Sequence, residues 1–336
     1  MSSRNTQKNK RNKVSFWEVV KYTYVQFTQQ IALVRARVIN LIGPYRAGRI
    51  KEYGLLMRVD KPIGTLLLLW PTLWALWLAS PDFPNVGHIA VFTVGVFLMR
   101  SAGCVINDYA DRNIDGGVAR TKLRPMARGS VTQKEALILF IVLALLAFGL
   151  VLMLNQLSVI LSFVALAIAT IYPFMKRVTY FPQVVLGMAF SMSIPMAFAA
   201  VLDEIPATAW LLYVANLLWV LAYDTLYGMV DKKDDLKIGV KSTAIFFGEA
   251  DLQITATIQG MFLFGMILVG TKFGLNYFYF ISLLLAAGLI ARQIYNCRNR
   301  QPDACFKAFL NNNWVGLVIF VGLLLSKLTS TIEPTL

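Results

Sequence analysis

Charge is scarce in this chain: only 15% of its 336 residues are charged, and acidic residues number 18 against 32 basic ones. With 57% hydrophobic residues and a mean hydropathy of +0.60, too little polar surface remains to coat a soluble globule. Cysteine is sparse as well. Cys104, Cys297 and Cys305 are odd in number and lack metal-ligand spacing, which excludes a disulfide framework and a zinc site and leaves packing as their role. The single histidine, His88, starts a helix at the far face, reads as solvated or interfacial, and is given no chemistry.

What is abundant is long uncharged sequence. A bilayer core of about 30 Å needs roughly 20 apolar residues to cross as a helix. Pro62–Ser80, Val178–Leu202, Ile205–Tyr223, Leu252–Thr271, Phe273–Ala291 and Ala308–Ser326 contain no charge and predict six spans. Ala136–Met175 is uncharged and long enough for two, with Asn155-Gln156 as the polar turn of a hairpin. Phe83–Met99 continues past Arg100 to Ile106 as one more span with a cation inside it, which makes nine.

Basic residues favour the cytoplasmic ends of spans, so their placement tests the count. The connection after the second span holds Arg112, Arg120, Lys122, Arg124, Arg128 and Lys134; those after the fourth, sixth and eighth hold Lys176-Arg177, Lys232 to Lys241, and Arg292 to Lys307. The intervening connections hold almost nothing basic beyond Lys272. This predicts an all-α integral membrane protein of nine transmembrane helices with a cytoplasmic N-terminus. The net charge of +14 is then a topology signal plus attraction to anionic lipid, not a reason to infer nucleic-acid binding.

Residues 1–53 differ in composition from 54–330 and are expected to form a basic N-terminal extension ahead of the membrane domain. Arg4, Lys8, Lys10, Arg11 and Lys13 come first. Val20, Tyr24, Phe27, Ile31, Val34, Val38 and Leu41 then recur at spacings of four and three, one helical stripe with Lys21, Arg35 and Arg37 off it. An amphipathic helix in the membrane interface is preferred over a short coiled-coil seam. A transit peptide is disfavoured because Met1–Lys13 is not amphipathic.

Two acidic clusters carry the chemistry. The second span runs into Asn107, Asp108, Asp111 and Asp115, with Asn107, Asp111 and Asp115 on one face if the helix persists. The sixth runs into Asp224, Tyr227, Asp231 and Asp235, again one face. Asp231 follows Asp111 by the same interval as Asp235 follows Asp115, which suggests two related halves. Carboxylates crowded near hydrocarbon repel one another unless they meet a cation, and magnesium, bound through carboxylates together with substrate phosphates, is the natural partner. Two facing clusters suit a metal-dependent enzyme acting on a lipid diphosphate. The plainer alternative, pairing with Arg112, Lys232 and Lys233 in solvated loops, is outweighed by two matched clusters at helix spacing. Arg100 lies on the face of Asn107 and Asp111 and should point into the site, with snorkelling to headgroups as its alternative. Trp70, Trp74 and Trp77 form a stripe whose preferred role is packing or interfacial anchoring, with a substrate tunnel as the competitor.

At these residues the chain resembles the UbiA family of intramembrane aromatic prenyltransferases, and within it the bacterial branch that takes 4-hydroxybenzoate as acceptor. The family pattern N-D-x-x-D-x-x-x-D is met by Asn107, Asp108, Asp111 and Asp115, and D-x-x-Y-x-x-x-D-x-x-x-D by Asp224, Tyr227, Asp231 and Asp235. Arg58 to Gly64, Arg100 to Cys104, Tyr172 to Arg177 and Ile238 to Ser242 are similar to its flanking segments, over about Gly54 to Ser326. The resemblance implies a nine-helix bundle in a bacterial inner membrane, its cavity open to the cytoplasm and to lipid. It implies a Mg2+ and diphosphate site at Asn107, Asp111, Asp115, Asp231 and Asp235, and diphosphate contacts from Arg58, Tyr172 and Lys176. Arg177 is implied at the aromatic carboxylate, with Arg100, Asp108, Asp224 and Tyr227 completing the substrate site. The implied reaction moves a polyprenyl group from its diphosphate to the ring of 4-hydroxybenzoate, a step of ubiquinone biosynthesis. The first fifty or so residues have no counterpart in the short bacterial forms.

Two rival classes fit the sequence less well. CDP-alcohol phosphotransferases share the spacing of Asp115-Gly116, Ala119-Arg120 and Gly129, but Arg112, Gln133 and Leu137 stand where three required aspartates belong. An ion-coupled secondary transporter places its site near the bilayer midplane, whereas these acids gather at one end of their spans.

Overall fold

The computed structural model describes residues 16–117 and 121–330. The basic segment Met1–Lys13, Ala119 and Arg120 lie outside the described residues, as do the side chains of Ile31, Val34, Arg35 and Val38 in the amphipathic pattern. The described residues form helices and no strands.

The chain divides into two units between Tyr53 and Gly54. The first holds α1 (Phe16–Ile42) and most of α2 (Pro44–Leu56). Gly43, at φ +82°, ends α1 in the left-handed conformation glycine adopts without strain, and Pro44 opens α2 with the φ a first helical turn requires. Along α1, Trp17, Val20, Tyr24, Phe27 and Leu41 are exposed.

The second unit is a bundle of apolar helices. These are α3 (Ile63–Ala79), α4 (Val86–Asp111), α5 (Gln133–Val151), α6 (Gln156–Val178), α7 (Pro182–Ser191), α8 (Ser193–Leu202) and α9 (Ala207–Ile238). After the single turn α10 (Thr243–Phe246) come α11 (Asp251–Lys272), α12 (Tyr277–Asn296) and α13 (Pro302–Ser330). Among the described residues eight elements are long and apolar enough to cross a membrane, α7 and α8 counting as one, and the shorter α3 makes the ninth. Polar side chains set the turns between them. Thr132 and Glu135 close a reciprocal capping box at the start of α5, and Asn155 caps α6 at Ser158 N, so the expected hairpin turn is built as a helix cap.

The run Val178–Leu202, expected as one span, is two helices broken at Met192. Pro195 supplies the reason: it has no N–H to donate to the Ser191 carbonyl four residues back, and its ring crowds that carbonyl. By contrast α9 outruns its apolar stretch. Its 32 residues span about 48 Å, against about 30 Å of hydrocarbon.

The core gathers around α3, which is short but buried among α4, α8, α9 and α13. Trp70 Nε1 donates to Asn313 Oδ1 at 2.9 Å and Trp74 Nε1 to the Gly316 carbonyl at 3.2 Å, so these two tryptophans pack the bundle together. Gly316 is the residue that lets them approach: a Cβ there would meet the Trp70 ring and come within 2.9 Å of Trp219. The cysteines are free and buried. A hydrogen bond with Cys305, together with burial, pushes the Cys297 thiol up, as suits packing rather than reactivity.

Candidate active site

Helix α4 carries its apolar face to Ala110 and stops at Asp111, whose carbonyl accepts from Ile114 N at 2.7 Å as the chain turns away. Asn107 and Asp111 share a helix face, and Asn107 Nδ2 donates to Asp111 Oδ2 at 3.3 Å. Asp115 does not share it. The helix has ended four residues earlier, and Asp115 begins a short 3-10 turn, Asp115–Gly117. It is brought back to the site by ion pairing instead: Arg124 Nη1 lies 2.9 Å from Asp115 Oδ2 and 3.0 Å from Asp108 Oδ1.

Asp108, also buried, receives Arg58 Nη2 at 2.9 Å on both oxygens. Arg58 takes a left-handed φ of +58°, unusual for a residue with a Cβ, and Nη1 donates to the Leu55 carbonyl at 3.0 Å. Lys176, from the end of α6, forms an ion pair with Asp111 Oδ2. Asp111 Oδ1 is buried and has no hydrogen-bond partner among the described residues. An ionised carboxylate with one bare buried oxygen is a poor resting arrangement and a good cation ligand. Among the described residues no three His, Cys, Asp or Glu side chains gather tightly enough to hold a metal, and in the first cluster arginine and lysine hold the carboxylates.

The second cluster needs no turn. Since α9 stays helical to Ile238, Asp224, Tyr227, Asp231 and Asp235 remain on one face, and Gly239 ends the helix at φ +72° with its N–H on the Asp235 carbonyl. That face meets the first cluster across a small chamber of about 140 Å³, lined by Asn107, Asp111, Asp115 and Lys176 as well as Asp224, Tyr227, Asp231 and Asp235. Of the nearby cations, Arg112 bonds the Tyr109 carbonyl and Lys232 bonds Asp251.

The chamber adjoins a far larger cavity of about 710 Å³ that runs into the bundle, lined mostly by apolar side chains. Asn107, Arg124, Tyr172, Asp224 and Tyr227 line both spaces. Arg100 lines the large cavity and does not snorkel to the surface. Its Nη1 lies 3.0 Å from Cys104 Sγ, its guanidinium stands over Phe190, and its buried Nε has no hydrogen-bond partner. Arg177 lines neither space: it donates to the Ala110 carbonyl and lies over Phe174.

Arg124 is the residue that sequence reasoning did not place in the site. It counted only as part of a basic connection, and the sign that it does more is its position shortly after the first motif, within reach of a chain that doubles back. The geometry offers a polar chamber bounded by acids and cations that adjoins a larger, mostly apolar cavity, an arrangement suited to a polyanion with an apolar tail.

The chain has relatives among known proteins. Residues 68–320 match the UbiA prenyltransferase family. The chain is 57% identical over 281 residues to the 4-hydroxybenzoate octaprenyltransferase of Stutzerimonas stutzeri, covering 84% of this chain and 95% of that one. To the protein of the same name from Psychromonas ingrahamii it is 59% identical, covering 83% and 97%. The fold is similar to a UbiA homolog from Aeropyrum pernix, with a TM-score of 0.70 at 25% identity over 78% of this chain and 97% of that one. It is also similar to a UbiA homolog from Archaeoglobus fulgidus bound to GPP and Mg2+, with a TM-score of 0.64 at 15% identity over 82% and 99%. Because the matched region takes in both acidic motifs and nearly all of the bundle, the chain belongs to the UbiA prenyltransferase family.

Proposed function

We propose that this protein transfers a polyprenyl group from an allylic polyprenyl diphosphate to the ring of 4-hydroxybenzoate, a step of ubiquinone biosynthesis. One observation carries the reading: two acidic motifs on different helices face each other across a chamber that opens into a long apolar cavity. The isoprenoid tail belongs in the apolar cavity and the diphosphate in the chamber. Neither a CDP-alcohol phosphotransferase nor a transporter is favoured by the relatives this chain has.

Asn107, Asp111, Asp115, Asp231 and Asp235 are assigned as the residues that hold Mg2+, supported by the bare buried oxygen of Asp111 and by the oxygen-only donor set. When bound, the ions lower the charge of the diphosphate and make it a better leaving group. Lys176, which lines the chamber, and Arg58, which lines the adjoining cavity, hold carboxylates of the first cluster and can exchange a carboxylate for a phosphate partner. Tyr172 and Tyr227, at the junction of the two spaces, flank the allylic carbon. That carbon's bond to oxygen breaks with the electron pair leaving on diphosphate, the ring carbon ortho to the phenol forms the new bond, and the ring proton passes to the released diphosphate. The apolar walls keep water from the cation.

Arg100 is assigned to the aromatic carboxylate, on the strength of a guanidinium that faces the cavity with Nε unbonded. Arg177, the residue the family resemblance points to, is the second candidate, and kinetics separate the two. The chamber is proposed to face the cytoplasm of a bacterial inner membrane because Lys122, Arg124, Arg128, Lys134, Lys176 and Arg177 cluster at that end of the bundle. The extension 1–53 is proposed to lie on the membrane surface. Incubating the purified protein with Mg2+, 4-hydroxybenzoate and an allylic polyprenyl diphosphate tests the reaction; absence of a prenylated hydroxybenzoate by mass spectrometry would overturn it.

A further inference from the structure

The acid-bearing end of α9 is held in place by a buried carboxylate outside the chamber. Helix α9 is about 48 Å long, and its acid-bearing last turns run on beyond its apolar stretch, just past Met229 and Val230, which still pack in an apolar cluster with Leu252, Cys297 and Cys305. Asp251, fully buried at the start of α11, meets those turns. Lys232 Nζ of α9 lies 2.9 Å from Asp251 Oδ2 and donates to the Gly248 carbonyl at 2.6 Å. From the turn between α12 and α13, Arg300 Nε donates to Asp251 Oδ1 at 2.8 Å and Nη2 to the Glu249 carbonyl at 2.5 Å. Two separate segments, α9 and the α12–α13 turn, therefore converge on one carboxylate at the start of α11.

Arg300 reaches it in a left-handed conformation, φ +50°, while its N–H bonds the Cys297 carbonyl at 2.8 Å. A residue with a Cβ keeps such a φ only where its surroundings impose it. Lys232 is the chain neighbour of Asp231, and adjacent helical residues diverge by about 100°. Fixing Lys232 on the α11 side thus fixes the direction in which Asp231, and Asp235 one turn on, enter the chamber. Lys232 itself does not line that chamber.

We propose that Asp251 is a positioning residue for the metal and diphosphate half of the site, acting through Lys232 on Asp231 and Asp235; this rests on the reading of those two aspartates as metal ligands. Neutralising Asp251 removes the charge that Lys232 and Arg300 share and leaves Lys232 with only the Gly248 carbonyl, which loosens its hold on α9. The aromatic acid binds elsewhere and should not notice.

The test uses the full chain in detergent and the variants Asp251→Asn, Lys232→Met and Lys232→Arg. Mn2+ is titrated in the presence of inorganic diphosphate and followed by electron paramagnetic resonance, alongside steady-state kinetics with each substrate varied. Asp251→Asn and Lys232→Met should each weaken Mn2+ binding about tenfold and raise KM for the prenyl diphosphate by a similar factor. KM for 4-hydroxybenzoate should stay within about twofold, and Lys232→Arg, which keeps the charge, should restore most of the loss. The double variant should be no worse than either single one. If Asp251→Asn fails to fold, Lys232→Met decides, since it leaves the Asp251–Arg300 pair in place. Unchanged Mn2+ binding in Lys232→Met, an equal loss for both substrates, or a wild type that binds no Mn2+ overturns the proposal. A wild type that binds Mn2+ and diphosphate, loses it on these substitutions, yet transfers no prenyl group would sink the assigned reaction and leave the anchor standing.

Discussion

Lys176 at the end of α6 is ion-paired to one oxygen of Asp111 at the end of α4, while the other oxygen of the same carboxylate is buried without a hydrogen bond. The pair ties two helices together at the mouth of the chamber and leaves half of a ligand ready. On the proposed assignment Lys176 has two partners to serve in turn, the carboxylate before substrate arrives and a phosphate after.

From this follows the behaviour of the acids. Asp111→Ala and Asp231→Ala remove one ligand each from opposite walls and should each lower kcat/KM by more than about 100-fold, with the protein still monodisperse in detergent. Asp→Asn at either position should also be severe, because an amide keeps the shape but contributes less to binding a hard cation. Activity of either alanine variant within a few fold of wild type would rule out the two-cluster site.

Arg100 and Arg177 make opposite predictions. If Arg100 receives the carboxylate, Arg100→Lys should raise KM for 4-hydroxybenzoate by about tenfold or more, since a lysine buried there loses the planar fork and is pressed toward its neutral form. Arg177→Lys should then change either KM by less than about threefold, because an ammonium can still bond the Ala110 carbonyl. The reverse pattern would return the carboxylate to Arg177.

How much of this could be read from the sequence depends on how far the chain runs before it turns. The face carrying Asp224, Tyr227, Asp231 and Asp235 was legible because α9 stays helical through all four, so a period of 3.6 places them correctly. The same reasoning fails at Asp115, where the helix ends at Asp111 and a turn takes over. Periodicity is also silent on the break at Met192, because the surrounding run is apolar on every side and only Pro195 marks the place. Arg124 against Asp108 and Asp115, or Lys232 and Arg300 against Asp251, depend on reversals of the chain that no periodicity encodes.

The N-terminal helix gives a prediction independent of catalysis. A peptide of residues 1–45 should gain helicity and shift its Trp17 emission to the blue on vesicles containing anionic phospholipid, and do so less at high salt. Trp17 is 75% exposed, so the change has room to occur. Deleting these residues should leave kcat and both KM values in detergent within about twofold. Loss of turnover in a well-folded truncation would place the segment in the active site instead.

Arg124 supplies the sharpest test of how the resting site is balanced. Its Nη1 joins Asp108 and Asp115, two buried carboxylates that would repel each other without it, and Asp115 is assigned to a metal. Arg124 thus stands in the place of a cation, so it should stabilise the metal-free protein and compete with metal for Asp115. Arg124→Met should lower stability without metal by about 3 kcal/mol, the scale for breaking a buried ion pair on one side. Ligand linkage then fixes the sign of the second effect: a variant whose site binds Mg2+ and diphosphate without first releasing an arginine gains more from them. The rise in Tm on adding Mg2+ with inorganic diphosphate should be larger in Arg124→Met than in wild type, even though the variant starts from a lower Tm. If Arg124 serves instead to bind diphosphate throughout, the rise will be smaller than in wild type and KM for the prenyl diphosphate will increase. An equal rise in both proteins would mean that Arg124 neither competes with the metal nor holds the diphosphate.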